Sequence, residues 1–391
     1  MRSSTFVWAG MMALGVALGI VEACTTFGAE GGDPPDAAHG PDGPDGTTGL
    51  DGSSGAEASV EAGPDPATQD AGACRVPEGT ASPCAPCEVS KVTDVTIGQW
   101  AFSLAADPNH LYWIENADRD GNALGGAIKR ISIRGGDGGE PTPELVWFTL
   151  TATPTKLALL DDEVLVAFPP NQAVEAVRLP KSCDTTCTPT AISGSQRVRA
   201  ITSQRKDPVT IESAGARIGG SFFALPSPNR AGADVFGGEV AVVREGSADL
   251  TVSSGTLLPS GRTFPLADPS DGGTSRGAFL VSSDCERLWA LQPFGAGAHA
   301  LVATKPDGAA PSVASYFTRE TFDMVADRTH VYLAHSDGPG LFRGSFTEAP
   351  RQLVSGDVWS IAVTNKYVYF DHHHRQNQGP RRIERILKSA P

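Results

Sequence analysis

A strand-turn-strand unit recurs along the C-terminal three quarters of this 391-residue chain, and a sequence that repeats in this way has to fold into an architecture that repeats. The clearest copy is residues 100–136, WAFSLAADPNHLYWIENADRDGNALGGAIKRISIRGG. A first strand from Ala101 to Ala105 runs into the turn Asp107-Pro108-Asn109-His110, where proline pre-sets φ and Asp and Asn bond locally to the backbone. A second strand follows from Leu111 to Glu115. After a Gly/Asp/Asn loop comes a third, Ala127 to Arg134, with Ile128, Arg130 and Ser132 alternating against Lys129, Ile131 and Ile133.

Equivalent segments align on that turn at 157–166, 279–290, 324–333 and 361–370. Anchors at 107, 161, 283, 327 and 364 are spaced by 54, 122, 44 and 37 residues, and the long gap has room for two further units, around Arg199 to Ile211 and Glu239 to Val252. A period of about 40 to 50 residues with three or four short strands per unit is that of a β-propeller. The expectation is therefore an all-β propeller of about seven blades over 74–391. The last unit lacks a fourth strand before Pro391, and Val89 to Ile97 precedes the first full unit, so pairing of the two terminal strands would close the ring and remove its open edges. A β-sandwich or a split pair of β domains is the competing reading of short alternating strands.

Tyr112-Trp113-Ile114-Glu115 before Ile128-Lys129-Arg130, Val331-Tyr332 before Leu341-Phe342-Arg343, and Val368-Tyr369-Phe370-Asp371 before Ile383-Glu384-Arg385-Ile386 resemble the YWTD repeat of low-density-lipoprotein-receptor-type propellers. The acidic residue of that motif is kept as Glu115 and Asp371, and its threonine is absent from each copy. The resemblance implies a ligand-binding or scaffold module, not an enzyme.

The first quarter differs in kind. Met1 to Ala23 has Arg2 as its basic residue, an apolar run from Phe6 to Ile20 and small residues before Cys24, the layout of a secretory signal peptide (1–23). Val21-Glu22-Ala23-Cys24 resembles a bacterial lipobox, which implies diacylation of Cys24; cleavage by an ordinary signal peptidase, giving a secreted soluble protein, is the alternative. Seven cysteines stand at 24, 74, 84, 87, 183, 187 and 285, and giving Cys24 to lipid leaves an even six for an oxidising compartment. The expected address is extracytoplasmic and membrane-anchored, since two acyl chains hold where one does not.

Residues 24–73 form an expected tether. From Thr25 to Ala73 there is no Lys or Arg and there are ten Asp or Glu residues among Gly, Pro, Ala, Ser and Thr, which offers too little apolar surface to offset ordering entropy. As a flexible coil it would span roughly 35 to 42 Å root-mean-square. Glycine at every third position from 40 to 55 has collagen's spacing but too short a run, so a Gly-rich linker is the reading. The tether carries −10 of the formal −14, and Arg2 and Glu22 cancel, leaving −4 for the rest. No nucleic-acid partner is expected from such a balance. The densest basic patch, Arg381-Arg382 with Arg375, Arg385 and Lys388, reads as solvated strand faces and loop.

Cys183 and Cys187 are close enough to bridge locally in the loop after a strand ending near Leu179; Cys74, Cys84, Cys87 and Cys285 would form two more disulfides whose pairing is open. A zinc site from Cys84-x-x-Cys87 and Cys183-x-x-x-Cys187 is disfavoured by export, and no βαβ pattern supports Cys84-x-x-Cys87 as a redox pair. Asn116, Asp118 and Asp120, in the loop after the second strand, resemble the first half of a calcium loop, but position twelve falls on Ala127, which excludes an EF-hand and leaves another kind of calcium site against a plain polar hairpin. Asp371-His372-His373-His374 would put His372 and His374 on one face of a continued strand, a weak metal pair set against a solvated loop.

There is no G-x-S-x-G elbow, phosphate loop or H-E-x-x-H, and no cofactor is expected apart from the calcium candidate. The functional expectation is a non-enzymatic platform whose loops bind a protein or a cell-envelope polymer. The rival is a propeller hydrolase, lyase or sugar oxidoreductase with a divalent ion or quinone in the central channel, because fold does not fix function.

Overall fold

Every second strand of the repeat is buried on both faces, and this is what makes the chain a ring of wedges. In blade 1, Leu111, Tyr112, Trp113 and Ile114 are all completely buried, with Leu111 and Trp113 packed toward one neighbouring blade and Tyr112 and Ile114 toward the other. A strand sandwiched in this way has no solvent face and so reads as a continuous apolar run. The same division recurs at Trp289 and Leu291 against Leu288 and Ala290, and at Tyr369 against Val368 and Phe370.

The structure is a computed structural model; it describes residues 87–388 except for 117–124, 135–140, 170–174, 193, 195–197, 205–206, 226–230, 237, 245–253, 267–279, 285, 295–297, 306–308, 318–320, 336–339, 346–347, 349 and 374–380. The described residues form seven four-stranded antiparallel sheets and contain no helix. Blade 1 is Trp100–Ala106, His110–Asn116, Gly126–Ser132 and Glu144–Thr149; blade 2 starts at Lys156–Leu159, blade 3 at Val198–Gln204, blade 4 at Ala231–Phe236, blade 5 at Leu280–Ser283, and blade 6 at Thr321–Ala326. Blade 7 is composite: Asp357–Val363, Tyr367–His373 and Arg382–Leu387 are completed on the outside by Val89–Asp94. The register Val89↔Ile386, Ser90↔Arg385 and Lys91↔Glu384 is antiparallel, so the predicted closure of the ring is found. The two units read into the long gap fall on the first two strands of blade 3 and the second strand of blade 4.

Seven apolar clusters fill the seven junctions between blades, one each. Two polar devices add direction to this packing. The first lies in the innermost strands, which surround the axis. Ser103 Oγ accepts the Leu157 amide at 2.8 Å, Ser282 Oγ the Ala326 amide at 2.8 Å, and Ser360 Oγ the Leu104 amide at 2.8 Å. Asp234 Oδ2 accepts Ser283 N at 2.8 Å, and Asp323 Oδ2 accepts Ile361 N at 2.9 Å. Among the described residues five of the seven junctions thus carry the same link from one inner strand to the backbone of the next. Bulges at Phe102/Ala105 and Val358/Ile361 turn Ser103 and Ser360 toward their neighbours, and Ser103 has a φ of 51°, in the left-handed region. Burial pushes the Asp234 carboxyl up to about 6, against the hydrogen bonds of Val235 N, Ser283 N and Ser282.

The second device is the turn aspartate. Asp107 Oδ1 accepts Asn109 N and His110 N, Asp327 Oδ1 accepts Thr329 N and His330 N, and Asp284 Oδ1 accepts Glu286 N and Arg287 N. Asp284, and not the Ser283 anchor chosen from sequence, is therefore the equivalent of Asp107; Ser283 is the last residue of its strand. The other carboxylate oxygen reaches the next blade: Asp107 Oδ2 meets Lys181 Nζ at 2.7 Å and Asp327 Oδ2 meets Lys388 Nζ at 2.7 Å. Burial raises the Asp107 carboxyl, but the hydrogen bond and charge of Lys181 with the two amides bring it below its ordinary value. At Asp284 burial wins over Trp289 and the amides and leaves the carboxyl raised.

Candidate functional site

On the face of the disc where the second strands end, the packing between blades turns from apolar to polar. Asn116, Glu212, Gln292, His335 and His373, from five blades, are all buried at or near those ends. Glu212 accepts from Thr210 Oγ1 at 3.2 Å and Arg217 Nε at 3.1 Å. His335 Nδ1 lies 3.3 Å from Thr321 Oγ1. Neither amide atom of Gln292 has a partner among the described residues.

The junction of blades 7 and 1 holds the densest cluster. Asp371 Oδ1 accepts Trp359 N at 2.8 Å and Ser360 N at 2.7 Å, and its Oδ2 lies 2.7 Å from His373 Nε2. Across the junction Glu115 accepts from Trp113 Nε1 at 2.9 Å and Thr96 Oγ1 at 2.6 Å and pairs with Lys129 Nζ at 2.8 Å. The two acidic residues retained from the YWTD-like motif therefore hold strand ends together. His372 Nδ1 meets Glu384 Oε2 at 2.7 Å, and Gly356, at φ +121°, lets the backbone approach its ring: a Cβ there would lie 2.3 Å from His372 Nε2.

Above these groups runs a row of half-buried rings. Phe322 of blade 6 lies 4.1 Å from Trp359 of blade 7, Trp359 lies 6.4 Å from His373, and His373 stacks on Trp100 of blade 1 at 4.6 Å. The Arg381 guanidinium sits 3.2 Å from the Trp100 ring centroid and donates to Gln99 O at 2.6 Å, while Arg381 O accepts Val95 N. Burial lowers the guanidinium from its ordinary value, so this spot disfavours an uncompensated cation. The 95–99 turn that meets Arg381 also bears Ile97, 95% exposed.

The sequence candidates fare differently. Asn116 is a buried strand residue paired opposite Trp100, and Asp118 and Asp120 lie outside the described residues. The second strand of blade 7 extends through His373, so His372 and His373 are not in a solvated loop: they point into opposite junctions and each holds a carboxylate. His374 lies outside the described residues, and among those described no three His, Cys, Asp or Glu side chains form a metal-binding group. The basic patch is solvated only in part. Lys388 is buried against Asp327, Arg385 lies over Tyr367 and donates to Ser90 Oγ, Arg382 pairs with Asp94, and Arg375 is outside the described residues.

Cys183 and Cys187 are disulfide-bonded with Cα atoms 5.6 Å apart, in the loop after the third strand of blade 2, and pack on the apolar cluster between blades 1 and 2. Cys87 is disulfide-bonded as well; Cys24, Cys74, Cys84 and Cys285 lie outside the described residues. Sequence reasoning missed Trp100, Phe322, Trp359 and Arg381. The legible signal was an aromatic residue five to seven positions ahead of the turns at 107, 327 and 364.

No protein-family model matches the chain, and no curated protein matches it. Solved structures do. The β-propeller domain of the Trilobed protease from Pyrococcus furiosus is 9% identical with a TM-score of 0.51, over 75% of this chain and 98% of that one. BamB from Moraxella catarrhalis is 10% identical with a TM-score of 0.45, over 77% and 99%, and apo AztD from Citrobacter koseri is 13% identical with a TM-score of 0.47, over 69% and 80%. The Pyrococcus domain has an open velcro topology, whereas here Val89–Asp94 closes the last blade. At such identities the likeness shows the fold alone, that of a β-propeller.

Proposed function

We propose that this chain is an exported, lipid-anchored β-propeller of YWTD-like repeats that serves as a non-enzymatic binding or scaffold module at the cell envelope, with a protein as its partner. The observation that carries this reading is the use of the polar groups at the junction of blades 7 and 1. Asp371, Glu115, Glu384 and Asp323 each hold a strand, a histidine or a lysine, while Trp100, Trp359 and Phe322 are half-buried and Ile97 is exposed. Aromatic rings with an arginine are what energetically dominant contacts of protein interfaces are made of. The Cys183–Cys187 disulfide agrees with an oxidising compartment. Among the described residues no helix is long and apolar enough to cross a membrane, and the proposed anchor is the lipid on Cys24.

The chain enters the domain at Val89, level with Ile386 and Val368, on the side of blade 7 where the turn from Thr364 to Tyr367 lies. The ring row is at the other ends of those strands. Asn116, Asp118 and Asp120, in the sequence between the second and third strands of blade 1, are proposed as calcium ligands.

Two measurements test the reading. Intact mass of protein extracted from membranes should show a diacylated N-terminal cysteine, and an unmodified Cys24 would remove the anchor. Photo-crosslinking from Trp359→benzoylphenylalanine in producing cells should capture one defined protein, identified by mass spectrometry and confirmed with purified components. Turnover of a glycan or lactone by the purified domain, without such a partner, would favour the enzyme reading instead.

A further inference from the structure

Among the described residues Arg381 is a cation without a counter-charge. Its neighbour Arg382 pairs with Asp94, and Arg130, Arg217, Arg262, Arg287 and Arg343 each meet a carboxylate, but no carboxylate among the described residues lies within ion-pair distance of Arg381. The adjoining loop 374–380 contains no Asp or Glu that could supply one. Half-burial on Trp100 removes part of the guanidinium's hydration, and its hydrogen bond to Gln99 O engages one of its five donors. Trp100, on which the guanidinium lies, also stacks on His373, 6% exposed and with no partner for Nδ1 among the described residues, and the turn that accepts the guanidinium's hydrogen bond bears Ile97, whose apolar side chain is almost wholly in solvent. A protein of net charge −14 thus presents, among its described residues, a cation with no carboxylate partner bonded to a turn that bears an exposed apolar side chain.

We propose that Arg381, held on Trp100 beside Ile97, receives an acidic side chain of the partner protein, and that an apolar side chain next to that acid in the partner packs on Ile97. The guanidinium fork matches a carboxylate in two parallel hydrogen bonds, and such a charge-assisted pair is roughly twice as strong as a neutral one. The exposed isoleucine favours a peptide over an acidic polysaccharide, because a peptide offers acid and apolar groups on adjacent residues. This inference rests on the binding-module reading and names what that surface recognises.

The test uses the purified full chain and arrayed 15-residue peptides carrying Glu-Leu or Asp-Phe pairs, with Gln-Leu and Asn-Phe peptides as matched controls, followed by fluorescence anisotropy of the peptides retained. Acidic peptides should bind, their amide controls should bind about tenfold or more weakly, and Arg381→Gln should lose a similar factor while Arg381→Lys keeps part of the affinity. Thermal melting of both variants verifies that blade 7 is intact. Equal binding of acidic and amide peptides, or unchanged binding by Arg381→Gln, would overturn the proposal. So would Arg381-dependent binding of polygalacturonate with no peptide retained, or peptide binding that emerges only when Asp118→Asn and Asp120→Asn are combined, which would mean that the chain fills the site itself. Crosslinking from Trp359→benzoylphenylalanine separates the two readings: a partner still captured by the Arg381→Gln protein leaves the binding face standing and removes the role of Arg381, whereas no capture from either protein removes both.

Discussion

Lys388 Nζ lies 2.7 Å from Asp327 Oδ2 with both side chains fully buried, so one ion pair ties the residue after the third strand of blade 7 to the first turn of the preceding blade. Lys388 Nζ also donates to Thr364 O at 3.1 Å, and Tyr332 Oη donates to Asp327 Oδ2 at 3.0 Å, so the carboxylate gathers both neighbours. The tyrosine's own ionisation is pushed up by burial and by the Asp327 charge.

Removing one partner of a buried pair strands the other in a low dielectric. Lys388→Met should therefore lower unfolding free energy by about 3 to 5 kcal/mol, and Asp327→Asn added to it should recover part of that loss. Urea unfolding of both variants measures it; a change below about 1 kcal/mol in Lys388→Met, the range of an exposed pair, would contradict the burial described.

Ser360 bridges three blades, accepting Leu104 N and donating to Asp323 Oδ2 at 3.1 Å. Ser360→Ala leaves a buried amide without its acceptor and should cost about 1 to 3 kcal/mol. Hydrogen exchange at the Leu104 amide is the specific readout, and it should accelerate more than amides in blade 3.

Asp234 gives a pH dependence of definite sign. Its carboxyl is raised in the folded protein to about 6, from an ordinary value of 3.8, so the folded state holds the proton more tightly than the unfolded state does. Its contribution to stability is present in acid and is lost as pH rises from about 4 to about 6. Asp234→Asn keeps an acceptor oxygen for Ser283 N and removes the titration. The difference in melting temperature between Asp234→Asn and the parent should grow across that window and level off above it.

Closure predicts a failure of the whole domain. Deleting residues 74–98 removes the strand Val89–Asp94 that covers Arg382–Leu387 and should abolish cooperative unfolding, leaving an expanded state that binds hydrophobic dyes. A sharp, unchanged transition in the truncated chain would show that blade 7 stands with three strands.

Calcium titration by calorimetry, with Asp118→Ala and Asp120→Ala as controls, tests the loop after Asn116. Heat of binding in the parent that is lost in both variants is the expected outcome. Equal affinity in all three proteins would remove the site.

The chain's sequence determined the repeat, a blade count near seven and the closure, and the seven sheets of the structure fixed the number. Period-2 strands and turn formers are local, and the double burial of each second strand writes itself as an apolar run such as Leu111 to Ile114. The turn aspartates were legible for the same reason: Asp107 and Asp327 bond to amides two and three residues ahead. Tertiary structure alone decided the partners that lie a blade apart. Lys388 reads as a solvated basic residue until the next-to-last blade supplies Asp327, His373 as loop until Asp371 and Trp100 enclose it, and Ser103 as an ordinary strand serine until Leu157 donates to it. The candidate surface belongs to this second class. Phe322, Trp359, Trp100 and Arg381 are up to 281 positions apart, and only closure of the ring between the first blade and the last brings the rings and the guanidinium into one row.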